Sequence, residues 1–322
     1  MKYVYGPIPS RRLGRSLGID PIPLKTCNWN CVYCQLGRSV SLTLERREYV
    51  PRHELMAEVK QALAAYQPGE INWITFVGSG EPTLHSGLGW MIRQVKEITD
   101  LPLAVITNGS LLYLPEIRQE LSAANAVLPT LDAGNARLYR QINRAAPRFT
   151  FDQLVDGLRR FRQAYSGKLW IEVMLIQGMN DTPKALQELA LVLKSIQPDR
   201  VHITLPVRPP AEARVRPSGE AGLRRAEKIL GEVAWVSVPA ISEARAARIG
   251  DLAETVLSVV TRHPMQEEEL KKLFNRWSPE EVRAVLEDLK SRHKVQMVEQ
   301  AEHSFWSAAA ARYPRLQTGE SR

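Results

Sequence analysis

The sequence predicts an α/β fold, an open partial barrel of six βα units followed by a small winged-helix-like domain. Three observations lead there. Between about residues 70 and 205, short apolar runs alternate with amphipathic stretches. From residue 250 that alternation stops, and three short helical patterns precede a hairpin pattern. Cys27, Cys31 and Cys34, the only cysteines in the chain, share one loop directly after the earliest strand pattern.

The strands come first. An early one is expected over residues 16–22, then others over 71–77, 103–107, 126–131, 170–176 and 200–205. Each is short and largely apolar, as strands covered on both faces should be. Helical periodicity falls between them, over 53–66, 88–98, 114–122, 151–165 and 183–196. The last has a clear start: Asp181 or Thr182 can cap it, and Pro183 suits a first turn. Repeated βα units imply a parallel sheet. A doubly wound sheet has the same local pattern and stays open as an alternative. In both arrangements the chemistry belongs at the C-terminal ends of the strands.

Residues 205–218, rich in proline and arginine, read as a loop leaving the barrel. A helix over 219–230 and a strand over 235–238 follow. Helices over 251–262, 265–274 and 279–292 and a hairpin over 294–299 and 303–307 complete the chain. The expected division is a core barrel over 1–216, an extension over 217–249, a winged-helix-like domain over 250–306 and a flexible tail over 307–322.

Composition sets limits on function. Hydrophobic residues at 44% and charged residues at 24% are a globular mixture, which argues against global disorder. No apolar run approaches the roughly 20 residues that span a bilayer, and the first ten residues lack a signal-peptide apolar stretch. A cytoplasmic protein without a membrane partner is expected. The net charge of +8 is unevenly spread. Residues 1–47 carry Lys2, Arg11, Arg12, Arg15, Lys25, Arg38, Arg46 and Arg47 against Asp20 and Glu45, whereas residues 250–306 are acidic on balance. A basic rim around the cysteines would attract an anionic substrate or nucleic acid, although ordinary solubility charge gives the same count.

Three cysteines within eight residues are an odd number for a disulfide framework. Their spacing is C-x3-C-x2-C, with Tyr33 just before the third. Thiolates are soft ligands suited to zinc or an iron–sulfur cluster. Structural zinc takes four protein ligands, and the nearest histidine in sequence is His53. A cubane on three thiolates leaves one iron open to a substrate or cofactor.

This motif resembles the hallmark of the radical S-adenosylmethionine (SAM) superfamily. Further elements follow in order: Gly78-Ser79-Gly80-Glu81-Pro82 after the second strand, Thr107-Asn108-Gly109 after the third, and Pro129-Thr130-Leu131-Asp132 ending the fourth. The resemblance covers roughly residues 1–210. It implies a partial (βα)6 TIM-like barrel, a 4Fe-4S cluster on Cys27, Cys31 and Cys34, and SAM on the open iron. It further implies that Gly80, Glu81 and Pro82 meet the methionine ammonium and that Thr107 and Asn108 support the methionine end. Thr130 and Asp132 would meet the carboxylate or ribose hydroxyls, Tyr33 would pack on the adenine, and Asn180 would face the cofactor. Ser79 departs from the pattern, since glycine is usual there. The implied chemistry is reductive cleavage of SAM to a 5′-deoxyadenosyl radical that abstracts hydrogen, with electrons from a flavodoxin- or ferredoxin-type donor.

The lack of a fourth cysteine disfavours reactions that need an auxiliary cluster. The stretches Tyr5-Gly-Pro-Ile-Pro-Ser-Arg-Arg-Leu-Gly14 and Ser16-Leu-Gly-Ile-Asp20 resemble Fe–S oxidoreductases related to tRNA wyosine-synthesis enzymes. RNA, a protein or peptide, and a small molecule all remain open as substrates. A second class of function is an iron–sulfur sensor that binds DNA through its winged helix. The expected third helix of that domain holds Glu280, Glu281, Glu287 and Asp288, which opposes groove reading, so no specific DNA binding is expected. Because the motif residues precede residue 133, cofactor chemistry is expected to need only the barrel.

Overall fold

The computed structural model describes residues 1–39, 41–237 and 251–314. Strands β1 (Val4–Ser10), β2 (Gly14–Ile19), β3 (Trp73–Phe76), β4 (Leu103–Thr107), β5 (Ala126–Pro129), β6 (Lys168–Met174), β7 (Arg200–Thr204) and β8 (Ala234–Val236) lie side by side in chain order. From β2 to β8 every neighbouring pair is parallel. Only β1 is antiparallel, paired with β2 as a hairpin. Helices α1 (Arg52–Ala64), α2 (Leu88–Ile98), α3 (Pro115–Leu121), α4 (Ala136–Ile142), α5 (Phe151–Ala164), α6 (Pro183–Ile196) and α7 (Glu220–Leu230) fill the crossovers. An unreversed strand order has no switch point, which excludes the doubly wound alternative. Right-handed crossovers then place the helices on one face, and the sheet curls into a half-barrel around the other.

The period of two along each strand separates the faces. On β6, Leu169, Ile171 and Val173 join the main core under the helices. Trp170 instead joins Leu13, Ala104, Ala126 and Leu128 in a small inner cluster. The rest of the interior is polar: Ser16, Thr75, Glu172, His202 and Thr204 are all buried. The strands are therefore not apolar on both faces.

Two elements were not expected. Strand β1 contains two prolines, which suit an edge position. Helix α4 is only seven residues long and is capped by Asn135, whose Oδ1 accepts from Leu138 N at 2.8 Å. The start of α6 is as expected, with Thr182 accepting from Ala185 N and Pro183 in the first turn. Strand β8 extends the sheet beyond the six expected units; residue 238 of that expected strand and residues 243–248 of the expected extension lie outside the described residues.

Helices α8 (Leu252–Arg262), α9 (Glu267–Leu273) and α10 (Pro279–Ser291) and the hairpin β9 (Val295–Gln300)–β10 (His303–Ala308) follow in the expected order. Val256, Val259, Leu270, Phe274, Leu286 and Trp306 form their core, which Tyr5 and Ile8 of β1 enter. The segment thus packs on the barrel edge. Residues 307–314, expected within a flexible tail, dock instead: Arg38 N donates to Arg312 O (2.8 Å) and Tyr313 OH to Gln35 O (2.6 Å). Among the described residues, no helix is long and apolar enough to cross a membrane.

Candidate functional site

The loop from β2 to α1 carries the cysteines, and two buried residues pin it. Trp29 is buried against the edge of Tyr139, with ring centroids 5.3 Å apart, and Val32 N donates to Ile142 O at 2.9 Å. With Trp29 and Val32 turned into the core, the three thiols stay partly exposed. Each sulfur has a donor: Trp29 N (3.4 Å) and Asn108 Nδ2 (3.8 Å) at Cys27, Asn143 Nδ2 (3.8 Å) at Cys31, and Lys25 Nζ (3.2 Å) at Cys34. Burial, then the Glu81 carboxylate, pushes the Cys27 thiol up to about 12. Burial and the two neighbouring thiols push Cys31 well up too. Thiols in that state need a cationic metal centre to become ligands. Among the described residues, no three His, Cys, Asp or Glu side chains are close enough to share one ion. The donor set fits a wider iron–sulfur group, and sulfur-directed donors are what such a group uses for tuning.

The turn after β3 locks onto the start of this loop. Lys25 N donates to Ser79 O (2.6 Å) and Glu81 N to Thr26 O (2.9 Å). A Cβ on Gly80 would stand 1.9 Å from Thr26 O, so only glycine fits there. The departure at Ser79 has a local reason: its hydroxyl donates to Asp20 Oδ2 at 2.7 Å and its N–H to Oδ1 at 3.2 Å.

Glu81 is almost fully buried and accepts from four donors. These are Thr83 N (3.0 Å), Thr83 Oγ1 (2.6 Å) and Thr107 Oγ1 (2.6 Å) at Oε1, and Asn108 N (2.7 Å) at Oε2. Burial raises its pKa while the donors oppose the rise. The carboxylate is thus a brace between the ends of β3 and β4. Asn108 extends the network, donating to Asn28 Oδ1 at 2.7 Å, and Asn28 donates to Ser110 Oγ at 2.7 Å.

Asp132, after β5, is the second buried carboxylate. Tyr33 OH (2.6 Å) and Asn143 Nδ2 (2.6 Å) donate to its Oδ2, and Met174 N (2.8 Å) to Oδ1. Burial raises its pKa to about 6 against these donors. Tyr33 is therefore tied through its hydroxyl, a contact its expected apolar packing did not include. Thr130 is held by Thr107 O, to which its N–H donates at 3.1 Å. Asn180 differs from expectation. Its amide donates to Asp132 O and Met174 O (both 2.9 Å) and accepts from Ile176 N (2.8 Å), so the side chain is spent on backbone.

The basic rim is also largely committed. Arg12 pairs with Glu172, Arg46 with Glu120, and Arg15 donates to the carbonyls of Gly69 and Glu70. Sequence reasoning missed Lys25, Asn28 and Asn143. Asn28 had a signal, its place between two cysteines, whereas Asn143 reaches the site only because α4 ends there.

Cys27, Cys31, Cys34, Tyr33, Gly80, Glu81, Pro82, Thr107, Asn108, Thr130 and Asp132 thus gather at the C-terminal ends of β2 to β5. The family model for the radical SAM superfamily matches residues 22–190. A UPF0026 protein of Methanocaldococcus jannaschii is 31% identical over 287 residues, covering 86% of this chain and 87% of that protein. A Brachyspira hyodysenteriae protein named GTPase Obg is 37% identical over 266 residues, covering 82% of this chain; the chain spans only 39% of that protein's length. The solved radical SAM methyltransferase from Sphaerobacter thermophilus shares the fold, with a TM-score of 0.53 at 20% identity over 69% of this chain and 65% of that one. With the match spanning more than half of its residues, the chain belongs to the radical SAM superfamily, whose members bind SAM and a 4Fe-4S cluster.

Proposed function

We propose that the protein is a one-cluster radical SAM enzyme in which Cys27, Cys31 and Cys34 hold a 4Fe-4S cluster and SAM lies between the Gly80-Glu81-Pro82 turn and Asp132. The observation that carries this reading is the set of three half-exposed thiols, each with its own donor, beside two buried, fully braced carboxylates. When bound, cluster and cofactor supply one-electron cleavage of the sulfonium to a 5′-deoxyadenosyl radical able to take a hydrogen atom from a substrate. The chain's part is to bind and orient. Glu81 fixes the β3 and β4 ends against each other, and Oε2, with one donor, retains acceptor capacity for an ammonium. Oδ1 of Asp132, with one donor, retains capacity for ribose hydroxyls. Asn180 sets the position of Asp132 through its backbone.

The substrate is proposed to be RNA or a protein, with a flavodoxin- or ferredoxin-type donor, in the cytoplasm. The C-terminal helices and hairpin are read as a winged-helix-like substrate module without specific DNA affinity, given the acidic α10. The experiment is anaerobic reconstitution with iron and sulfide, followed by reduction and addition of SAM. About four irons per chain, their loss in Cys31→Ala, and release of 5′-deoxyadenosine are expected. Stoichiometric zinc with no iron uptake would sink the reading.

A further inference from the structure

Lys25 lies two residues before Cys27, in the loop after β2, and its backbone is in the left-handed region at φ 63°. A lysine holds that conformation only where its surroundings fix it. The anchor is visible: Lys25 N donates to Ser79 O at 2.6 Å, which ties the residue to the Gly80-Glu81-Pro82 turn. From there the side chain reaches across the loop. Its Nζ donates to Cys34 Sγ at 3.2 Å and to Gly37 O at 2.7 Å. The second acceptor is fixed as well. Gly37 is left-handed at φ 74°, its N–H donates to Cys34 O at 3.0 Å, and a Cβ on it would stand 2.4 Å from Arg312 O. Lys25 is half-buried, so its ammonium is held at the sulfur and does not sweep through solvent.

The three cysteine sulfurs are therefore unequal. The donors on Cys27 and Cys31 are neutral N–H groups: Trp29 N at 3.4 Å and Asn108 Nδ2 at 3.8 Å on the first, Asn143 Nδ2 at 3.8 Å on the second. Cys34 alone of the three receives an ammonium, and at a shorter distance. Among the described residues no carboxylate forms an ion pair with Lys25, so no acid neutralises that charge. Hydrogen bonds to ligand sulfurs tune the reduction potential of an iron–sulfur cluster, and a charge-assisted one is roughly twice as strong as a neutral one. One-electron reduction adds a negative charge to the cluster. A cation fixed on one of its sulfurs favours that more negative state, the more so in a sheltered place of low dielectric.

We propose that Lys25, through its ammonium on Cys34, raises the reduction potential of the cluster and so eases its reduction by a one-electron donor of the flavodoxin or ferredoxin type. The inference rests on the cluster proposed for Cys27, Cys31 and Cys34. One electron leaves the donor's reduced flavin or iron–sulfur centre and enters the cluster; no bond forms or breaks, and Lys25 keeps its protons throughout. Lys25 acts from outside the ligand set, so replacing it leaves the three thiols and the buried carboxylates Glu81 and Asp132 unaltered.

The test is a reductive titration of the full chain, reconstituted anaerobically and free of SAM. Dithionite and mediator dyes set the potential, and electron paramagnetic resonance follows the reduced cluster. Wild type, Lys25→Arg, Lys25→Met and Lys25→Gln are compared, with iron and sulfide content measured for each. At the potential that half-reduces wild type, the ratio of reduced to oxidised cluster should fall about tenfold in Lys25→Met, a shift of the midpoint by about 59 mV to more negative values for a one-electron couple. Lys25→Gln keeps a donor but loses the charge and should shift the same way, whereas Lys25→Arg should stay close to wild type. Should Lys25→Met fail to load, Lys25→Gln decides. Wild-type midpoints in loaded neutral variants overturn the proposal. So does failure of both neutral variants to hold iron, which would make Lys25 a residue of cluster assembly and not of tuning. Release of 5′-deoxyadenosine by wild type is measured alongside. If wild type holds iron and cleaves SAM while the midpoints coincide, this inference alone falls; if wild type takes up no iron, the cofactor reading falls and this inference falls with it.

Discussion

Arg262 Nε donates to Asp20 Oδ2 at 2.6 Å, and the same carboxylate oxygen accepts from the Ser79 hydroxyl at 2.7 Å. One residue of the C-terminal helices thereby braces the turn that leads into Gly80 and Glu81. Arg262 also presents its carbonyl to Gln35 Nε2 at 2.9 Å, next to Cys34, and lies over the Tyr5 ring at 5.0 Å. Asp20 is 1% exposed and Arg262 10% exposed. Removing one partner of such a pair leaves a buried charge and costs about 3–5 kcal/mol. Arg262→Ala should lose stability on that scale in urea unfolding and should weaken SAM binding in calorimetry. A chain ending before residue 251 should do the same, contrary to the expectation that the barrel suffices for cofactor chemistry. Unchanged SAM affinity in a folded Arg262→Ala protein would return the C-terminal segment to a separate role.

Glu81 gives a second outcome. With four donors on its carboxylate, Glu81→Ala strands Thr107 Oγ1 and Asn108 N at once. Each charge-assisted hydrogen bond is worth about 1.5–3 kcal/mol. The variant should therefore unfold at a markedly lower temperature even without cofactor, and bind SAM more weakly when it holds its cluster. A protein with wild-type Tm that fails only in SAM binding would mean that the carboxylate serves the ligand and not the frame.

Asn180 separates bracing from ligand contact in another way. Its Nδ2 faces two carbonyls, those of Asp132 and Met174. Asn180→Asp would place a carboxylate oxygen against both, with a penalty of about 1–3 kcal/mol for each polar group left unpaired. Stability of the cofactor-free protein should fall by a few kcal/mol in denaturant titration. A loss confined to the SAM-loaded protein would contradict the bracing role.

The parts legible in the sequence were those that repeat or bunch. Short apolar runs marked β4 and β7, Thr182-Pro183 marked the start of α6, and the cysteines marked the loop. What escaped depended on contacts distant along the chain. Nothing local in Arg262 points to Asp20, and α4 is too short for its periodicity to stand out. The same holds for charge. A count of arginines near the cysteines suggested an open basic rim, but Arg12, Arg15 and Arg46 turn inward to Glu172, to backbone carbonyls and to Glu120.

His202 makes stability depend on pH. Burial, then the charges of Arg12 and Arg200, lowers its pKa to about 3, against about 6.5 in an unfolded chain. A base with a depressed folded pKa binds its proton more readily once unfolded. Its contribution is therefore fully present above pH 6.5 and is lost progressively as pH falls toward 3. His202→Phe should flatten the stability profile across that window, since Phe has nothing to protonate, while other ionisable groups leave a residual slope. Urea midpoints between pH 4 and 7 for wild type and His202→Phe measure the effect. A profile for His202→Phe that parallels wild type would show that the imidazole is not the group titrating there.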